Sequence, residues 1–251
     1  MPRFSILSVT FNSDQSLVDS FFSLYNQKFQ DFEHIVQDGL SEEATLKLIT
    51  EFTDVRQNLL SEQDTGIYDA LNRAFSRSRG DIIGVLHSDD FYAKNTVLDR
   101  VNQTFIETNA DIVFCDIQYV HKRLTNRVLR TWHSGKFSRS QLKFGWMPPH
   151  TGFFIKRDVM ERAGGYDNKF RISGDYEAML RWLLLDDIKA VHLPEMLVKM
   201  RSGGLSNGSL HNKCLKYLED YIALKRHGMN PYLGIFFKNV RKLGQYFKMM
   251  G

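Results

Sequence analysis

Between Phe4 and Leu86 the chain sets four short apolar runs (Phe4–Phe11, Phe32–Gln37, Arg56–Leu60 and Asp81–Leu86) around three stretches of helical periodicity. Strand and helix in strict alternation predict an α/β protein: a mostly parallel sheet with helices on both faces. Three of the runs end in polar residues, Thr10 to Asn12, Asp38, and the pair Asp89-Asp90. In a parallel sheet those ends share the carboxyl edge, where open α/β sheets place their ligands.

Local signals fill in the rest. Asn12-Ser13-Asp14 predicts the cap of a helix reaching about Asn26, Ser41 the cap of the next, and Thr65-Gly66 the opening of a helix to Ser78. A helix over Asn95–Thr108 and a strand over Asp111–Val120 follow, the latter with a partner at Arg127–Trp132. Beyond Trp132 come a short helix (Ser138–Phe144), a strand (Thr151–Ile155) and a helix (Arg157–Ala163) stopped by Gly164-Gly165. Ser173-Gly174-Asp175 leads into a helix through Leu185, and two strands are expected at Ile188–Leu193 and Leu197–Met200. From Ser209 the pattern is helical, with a break at Gly228–Pro231, which divides the chain into a body (1–208) and an extension (209–251).

Composition narrows the class. No apolar run approaches the roughly 18 residues a membrane-spanning helix needs, and the start is too short in apolar residues for a signal peptide. Cys115 and Cys214 have neither metal-ligand spacing nor disulfide density, so reduced thiols and a cytoplasmic location are expected. The net charge of +4 is unevenly held: residues 209–251 carry +6 and the body −2, which makes the positive charge a property of the extension and its partners.

The stretch Ser61–Asp90 carries the chemistry. Its two adjacent carboxylates follow a strand, and hard oxygen ligands there suit Mg²⁺ or Mn²⁺, an ion of most use beside a diphosphate; the bland reading is a turn or helix cap. The segments SVTFN (8–12), QDGLSEEAT (37–45), SEQDTGIYDALNRAF (61–75), GDIIGVLHSDD (80–90), HTGFFIKRDVMERAGGYD (150–167), ISGDYEAMLR (172–181) and MRSGGLSN (200–207) occur in this order. Together they resemble the family 2 glycosyltransferases of the inverting GT-A type, above all bacterial members that build exopolysaccharide, capsule or O-antigen units.

The resemblance implies a nucleotide-binding GT-A sheet in which Thr10, Phe11, Asn12 and Asp38 hold the base, Asp38 accepting a ring N–H as uracil presents it. Asp38 could equally be a turn residue before Gly39. Asp64 would line the same pocket, Arg73 would reach ribose or phosphate, Asp89 ribose or donor sugar, and Asp90 the metal ion. His87 takes the place where the family often has a first Asp. Asp175 is the implied general base, with a helix cap as its structural alternative; the residue before it is Gly174 where the family commonly has Glu. Arg181-Trp182 matches part of the signature of processive synthases, but Ala178 takes the Gln position, so one sugar per encounter is expected. His150, Arg181 and Arg201 are implied at the acceptor or diphosphate, and Met200–Ser206 reads as a closing lid.

In the extension, Leu233, Phe236, Phe237, Val240, Leu243, Phe247 and Met250 recur at helical spacing, with Lys238, Arg241, Lys242, Gln245 and Lys248 on the other side. Such a helix lies on an anionic membrane, or packs its apolar stripe onto the body or a second subunit. The expected protein transfers a single sugar from a nucleotide-sugar, best a UDP-sugar, to a saccharide or lipid-linked saccharide at the inner face of the membrane. Mg²⁺ or Mn²⁺ is its cofactor, homo-oligomers are open to it, and nucleic acid is not a partner. The alternative of another class is a non-catalytic nucleotide-sugar-binding or membrane-scaffold protein on the same fold.

Overall fold

The computed structural model describes residues 1–13, 15–203 and 209–247. The β-α alternation appears as read: β1 (Phe4–Thr10), α1 (Ser16–Tyr25), β2 (Phe32–Asp38), α2 (Glu43–Glu51), β3 (Gln57–Ser61), α3 (Ile67–Arg77) and β4 (Ile82–Val85). These strands run parallel in the order β3-β2-β1-β4, with Thr10 beside Asp38 and Asp38 beside Ser61 at one edge. Beyond β4 the sheet becomes mixed. It continues through β8 (Phe153–Lys156), β6 (Ile112–Val120), β9 (Ala190–Arg201) and the two-residue β5 (Phe91–Tyr92), while β7 (Val128–Trp132) pairs antiparallel with β6.

Helices cover both faces, each burying its own cluster. α1 and α4 (Val97–Thr108) pack Leu24, Val97, Leu98, Val101 and Phe105 against Phe4, Ile6 and Phe154 on one side. On the other, α3, α6 (Arg157–Ala163) and α7 (Gly174–Leu183) place Tyr68, Leu71, Val159, Met179 and Trp182 over Leu7, Ile83, Phe114 and Phe153. Both surfaces of the central strands are therefore dry, which is why those strands read as near-continuous apolar runs. His34, in the middle of β2, is fully buried, and its ring nitrogens bond Tyr25 Oη at 2.8 Å and Ser8 Oγ at 2.9 Å.

Three local expectations are corrected. The two strands expected between Ile188 and Met200 are one strand, β9, whose register against β6 shifts around Cys115–Ile117; Pro194 and Glu195 fall at the bulge. Ser41 does not cap α2, whose first flanking residue is Glu42; its hydroxyl is engaged at Asp38 instead. Likewise α1 starts after Gln15 rather than at Asn12–Asp14, and Asp14 lies outside the described residues. The short helix after Ser138 is α5 (Arg139–Leu142), and His150–Gly152 form a 3₁₀ turn ahead of β8.

The extension folds as α8 (Leu210–Arg226), capped by Ser209 Oγ accepting from Asn212 N at 3.1 Å, and α9 (Pro231–Phe247), with proline at its first position. α9 seats on α8 and on the Phe144–Gly145 turn. Gly145 and Gly234 meet so closely that a Cβ on Gly145 would lie 2.2 Å from the Gly234 carbonyl oxygen. The face turned inward is Gly234, Ile235 and Lys238, the last 2.9 Å from both Asp220 oxygens. Tyr232, Leu233, Phe236 and Val240 point outward, Phe236 at 61% exposure, while Phe237 of the same stripe meets the Phe144 ring edge-on at 5.4 Å, so the stripe is divided between the body and the outer face. Among the described residues no helix is long and apolar enough to cross a membrane.

Candidate active site

At the β1–β2–β3 edge a set of polar groups gathers around Asp38. Its carboxylate is completely buried and accepts four bonds: Thr10 Oγ1 at 2.8 Å, Ser41 N at 2.9 Å, Ser61 Oγ at 2.7 Å, and Ser41 Oγ. Asn12, in the left-handed region at φ 47°, donates its N–H to Ser41 Oγ and accepts from Glu42 N, which ties the β1 turn to α2. Phe11 stands out of the surface at 67% exposure. It and Asp64 flank Gly39, where an added Cβ would lie 2.7 Å from Asp64 Oδ2 and 3.3 Å from the Phe11 ring. An exposed aromatic ring at a sheet edge offers a flat face on which a planar base can stack. Arg73, expected near ribose or phosphate, is paired on the helix surface with Glu62 (3.0 Å) and Asp69 (3.1 Å).

After β4 the turn carrying Asp89 and Asp90 is fixed carbonyl by carbonyl. Ser8 Oγ donates to Leu86 O at 2.7 Å, Ser20 Oγ to His87 O at 3.1 Å, Ser16 Oγ to Ser88 O at 3.4 Å, and Arg201 to Asp89 O at 2.9 Å. The serines that interrupt the apolar face of α1 thus hold this turn. Arg201, buried, also pairs with Asp19 and stacks on Phe91. Its donors go to the protein rather than to a ligand, and Gly204–Ser206 of the expected lid lie outside the described residues.

Asp90 is the reverse of Asp38. It is 1% exposed, and neither carboxylate oxygen has a hydrogen-bond partner; among the described residues it is the one carboxylate in that state. Burial, reinforced by the neighbouring Asp89 charge and only partly opposed by Arg201, raises its pKa well above the usual carboxylate range, so the charged form is disfavoured until a cation arrives. A buried, unpartnered carboxylate fits a cation. Among the described residues no three His, Cys, Asp or Glu side chains gather into a metal cage, so such an ion would draw its other ligands from substrate and water.

Asp175 sits in the first turn of α7, half-buried, with Ser173 rather than Asp175 in the capping position. Its Oδ1 accepts from Tyr176 N at 2.8 Å and lies 3.4 Å from the Tyr68 hydroxyl. Gly174 has a steric reason: a Cβ there would come within 2.7–2.8 Å of the Tyr68 ring. Between Asp175 and the Asp89–Asp90 turn stand His87 and His150, ring centroids 5.5 Å apart, with His150 Nε2 bonded to Tyr166 Oη at 2.8 Å. Burial holds both imidazoles in the neutral form, His150 down to about 4, while the charge of Asp175 acts on both in the opposite direction.

The structure thus brings Thr10, Phe11, Asn12, Asp38 and Asp64 to one part of the edge, and Asp89, Asp90, His150 and Asp175 to the other. Arg181 is elsewhere engaged: its guanidinium bonds the carbonyls of Ala163, Gly164 (2.7 Å) and Gly165 (2.6 Å) and the Glu177 carboxylate (3.2 Å), locking the glycine turn after α6. Tyr68 and Tyr166 went unread as site residues. Each occupies an apolar helical or turn position, and only the tertiary arrangement aims their hydroxyls at Asp175 and His150.

The model of the family "Glycosyl transferase family 2" matches residues 5–163. Over 222 residues the chain is 28% identical to a "PGL/p-HBAD biosynthesis glycosyltransferase" of Mycobacterium tuberculosis, covering 86% of this chain and 84% of that one. Staphylococcus aureus TarS 1-349 in complex with UDP-GlcNAc superposes with a TM-score of 0.72 at 14% identity, over 98% of this chain and 73% of that one. A longer TarS chain is spanned only to 39% of its length. The mannosyltransferase PcManGT of Pyrobaculum calidifontis, in complex with GDP-Man and Mn²⁺, gives 0.69 at 17% identity, over 98% and 69%. These likenesses establish the GT-A architecture. With its family model matched from the first strand to the end of α6, the chain belongs to glycosyl transferase family 2.

Proposed function

We propose that the body, residues 1–208, transfers one sugar from a nucleotide-activated donor, a UDP-sugar by preference, to a hydroxyl of a saccharide or lipid-linked saccharide, with inversion. The observation that carries this reading is the pairing of a buried, unpartnered Asp90 with an accessible Asp175 on the same sheet edge. The base lies against Phe11 beside Asn12 and Asp64, over the edge that Asp38 holds together; Asp89 meets the ribose or donor sugar. Asp90 would hold Mg²⁺ or Mn²⁺, which when bound neutralises the diphosphate. Asp175 takes the proton of the acceptor hydroxyl as its oxygen attacks the anomeric carbon, while the bond from that carbon to the diphosphate breaks on the opposite face. Neutral His87 and His150 line the space between without adding charge.

The complexes of TarS with UDP-GlcNAc and of PcManGT with GDP-Man and Mn²⁺ support a nucleotide-sugar donor and, from PcManGT, Mn²⁺. Melting curves with UDP, GDP, dTDP and CDP, each with and without Mn²⁺, test it: a selective, Mn²⁺-dependent rise names the donor class, and no shift with any of them at millimolar concentration sinks the reading. The outward apolar face of α9, within a basic extension, supports docking at an anionic lipid surface that presents the acceptor. Flotation with phosphatidylglycerol vesicles checks this; a Phe236→Ser/Val240→Ser protein that floats like wild type removes the idea.

A further inference from the structure

The three residues ahead of Asp175 are held from both sides. On one side Glu219 of α8, itself buried, accepts the N–H groups of Arg171 at 2.8 Å, Ile172 at 2.8 Å and Ser173 at 2.7 Å. On the other, the Tyr68 hydroxyl donates to the Ile172 carbonyl at 2.8 Å. Glu219 therefore stands at the start of α7, where unpaired N–H groups and the helix dipole favour negative charge. Its three bonds are charge-assisted, the strong class, and both of its oxygens are used.

The rest of α8 reinforces the same place. Arg226 pairs with Asp167 at 2.8 Å, and His227, just past the helix end, lies 3.2 Å from Glu177 on α7. Asp220 fixes Lys238 of α9, whose ammonium lies 3.5 Å from the centre of the Tyr176 ring. The residue after Asp175 is thus packed against the extension as well.

We propose that Glu219 is a positioning residue for sugar transfer: a carboxylate delivered by the C-terminal extension that fixes the backbone of residues 171–173 and so the place from which Asp175 meets the acceptor. This rests on Asp175 being the general base. On the body side the Tyr68 ring fills the space over Gly174 and leaves no room there for a side chain. The extension is then a support of the site, and removing the one carboxylate frees three N–H groups next to the base.

The experiment compares wild type with Glu219→Gln, Glu219→Ala, Asp175→Asn and the Glu219→Gln/Asp175→Asn double variant. Release of UDP from UDP-glucose, UDP-galactose and UDP-GlcNAc is followed with Mn²⁺ and water as acceptor, alongside amide exchange of residues 171–175. Glutamine keeps the shape and one acceptor oxygen, so it folds even if alanine does not. Glu219→Gln should lower kcat about tenfold and Glu219→Ala about 100-fold, the scale of a small misplacement of a reacting group, with the donor KM unchanged. Exchange in 171–175 should quicken about tenfold, and the double variant should be no slower than Asp175→Asn alone.

A wild-type kcat in Glu219→Gln beside an inactive Asp175→Asn overturns the proposal, as does a double variant slower than either single one. If Asp175→Asn stays fully active, it is the base assignment that fails. In that case, or if none of the three donors turns over, exchange decides: faster exchange in Glu219→Gln upholds Glu219 as the clamp of this segment, and wild-type protection overturns it.

Discussion

Two buried aspartates lie at the ends of neighbouring parts of one sheet and differ in almost everything else. Asp38, at the end of β2, is saturated by four donors; Asp90, after β4, has none. A fully bonded buried carboxylate organises the backbone around it, whereas one left without partners costs stability until a cation or proton arrives. The comparison teaches that equal burial and equal residue type say little about role, and that the partner count separates a framework carboxylate from one poised for a ligand.

The sharpest way to break this contrast is Asp90→Asn. If Asp90 is the cation's protein ligand, losing several kcal/mol of charge stabilisation lowers sugar transfer roughly 10³-fold. The Mn²⁺-dependent rise in melting temperature with UDP should vanish while the ligand-free protein melts no lower than wild type. A full Mn²⁺ response in the variant would remove Asp90 from the metal.

Asp38→Ala should do the opposite. It strands three hydroxyls and the Ser41 N–H, so urea unfolding should show a loss of about 3 kcal/mol or more. A loss of nucleotide binding without any loss of stability would show instead that Asp38 acts chiefly on the ligand.

Acid should separate the two regions as well. Burial lowers His34, under the Asp38 edge, from 6.5 to about 3, and His150, beside the Asp90 turn, from 6.5 to about 4. An unfolded chain protonates both below pH 6.5, so the unfolded state binds more protons and stability falls as the pH drops from 6.5. The His150 contribution should be exhausted near pH 4, while that of His34 continues to about 3. Stability measured from pH 8 to 4 should therefore have a shallower slope in His150→Asn, and an unchanged slope would contradict its burial as a neutral ring. Glu177 acts lower still. Burial alone would raise its carboxyl, but bonds from His227 and Arg181 hold it at about 2, so its contribution is lost between 4.5 and about 2.

The smallest effect belongs to Ser61→Ala, which removes one of the four donors at Asp38. About 1 kcal/mol should be lost, with UDP affinity intact. A loss as large as that of Asp38→Ala would mean that the four bonds act as a single cooperative unit.

Much of the parallel half was legible because β1, β2 and β4 are buried on both faces and their polar ends are few. Thr10, Asp38 and Asp90 stand out against apolar runs, and a parallel sheet leaves their ends one common edge. Arg73, Arg181 and Arg201 were harder. A sequence shows a cation near a motif but not which acceptor it meets, and here Glu62, the glycine-turn carbonyls and Asp19 take their donors. β9 was split in reading because Pro194 looks like a strand end, whereas a bulge absorbs it.

By itself the sequence determined the alternation, the sheet edge, the carboxylates at that edge and the family, since each depends on residue type and short-range spacing. Tertiary structure decided which carboxylate is saturated and which is open. It also decided that Tyr68 rather than an acidic neighbour fills the space at Gly174, that Glu219 bonds the segment before Asp175, and that α9 turns Leu233, Phe236 and Val240 outward while Phe237 meets Phe144. Those outcomes depend on contacts between residues tens of positions apart, and a hydrogen bond or a clash is set by distances in space that spacing along the chain does not contain.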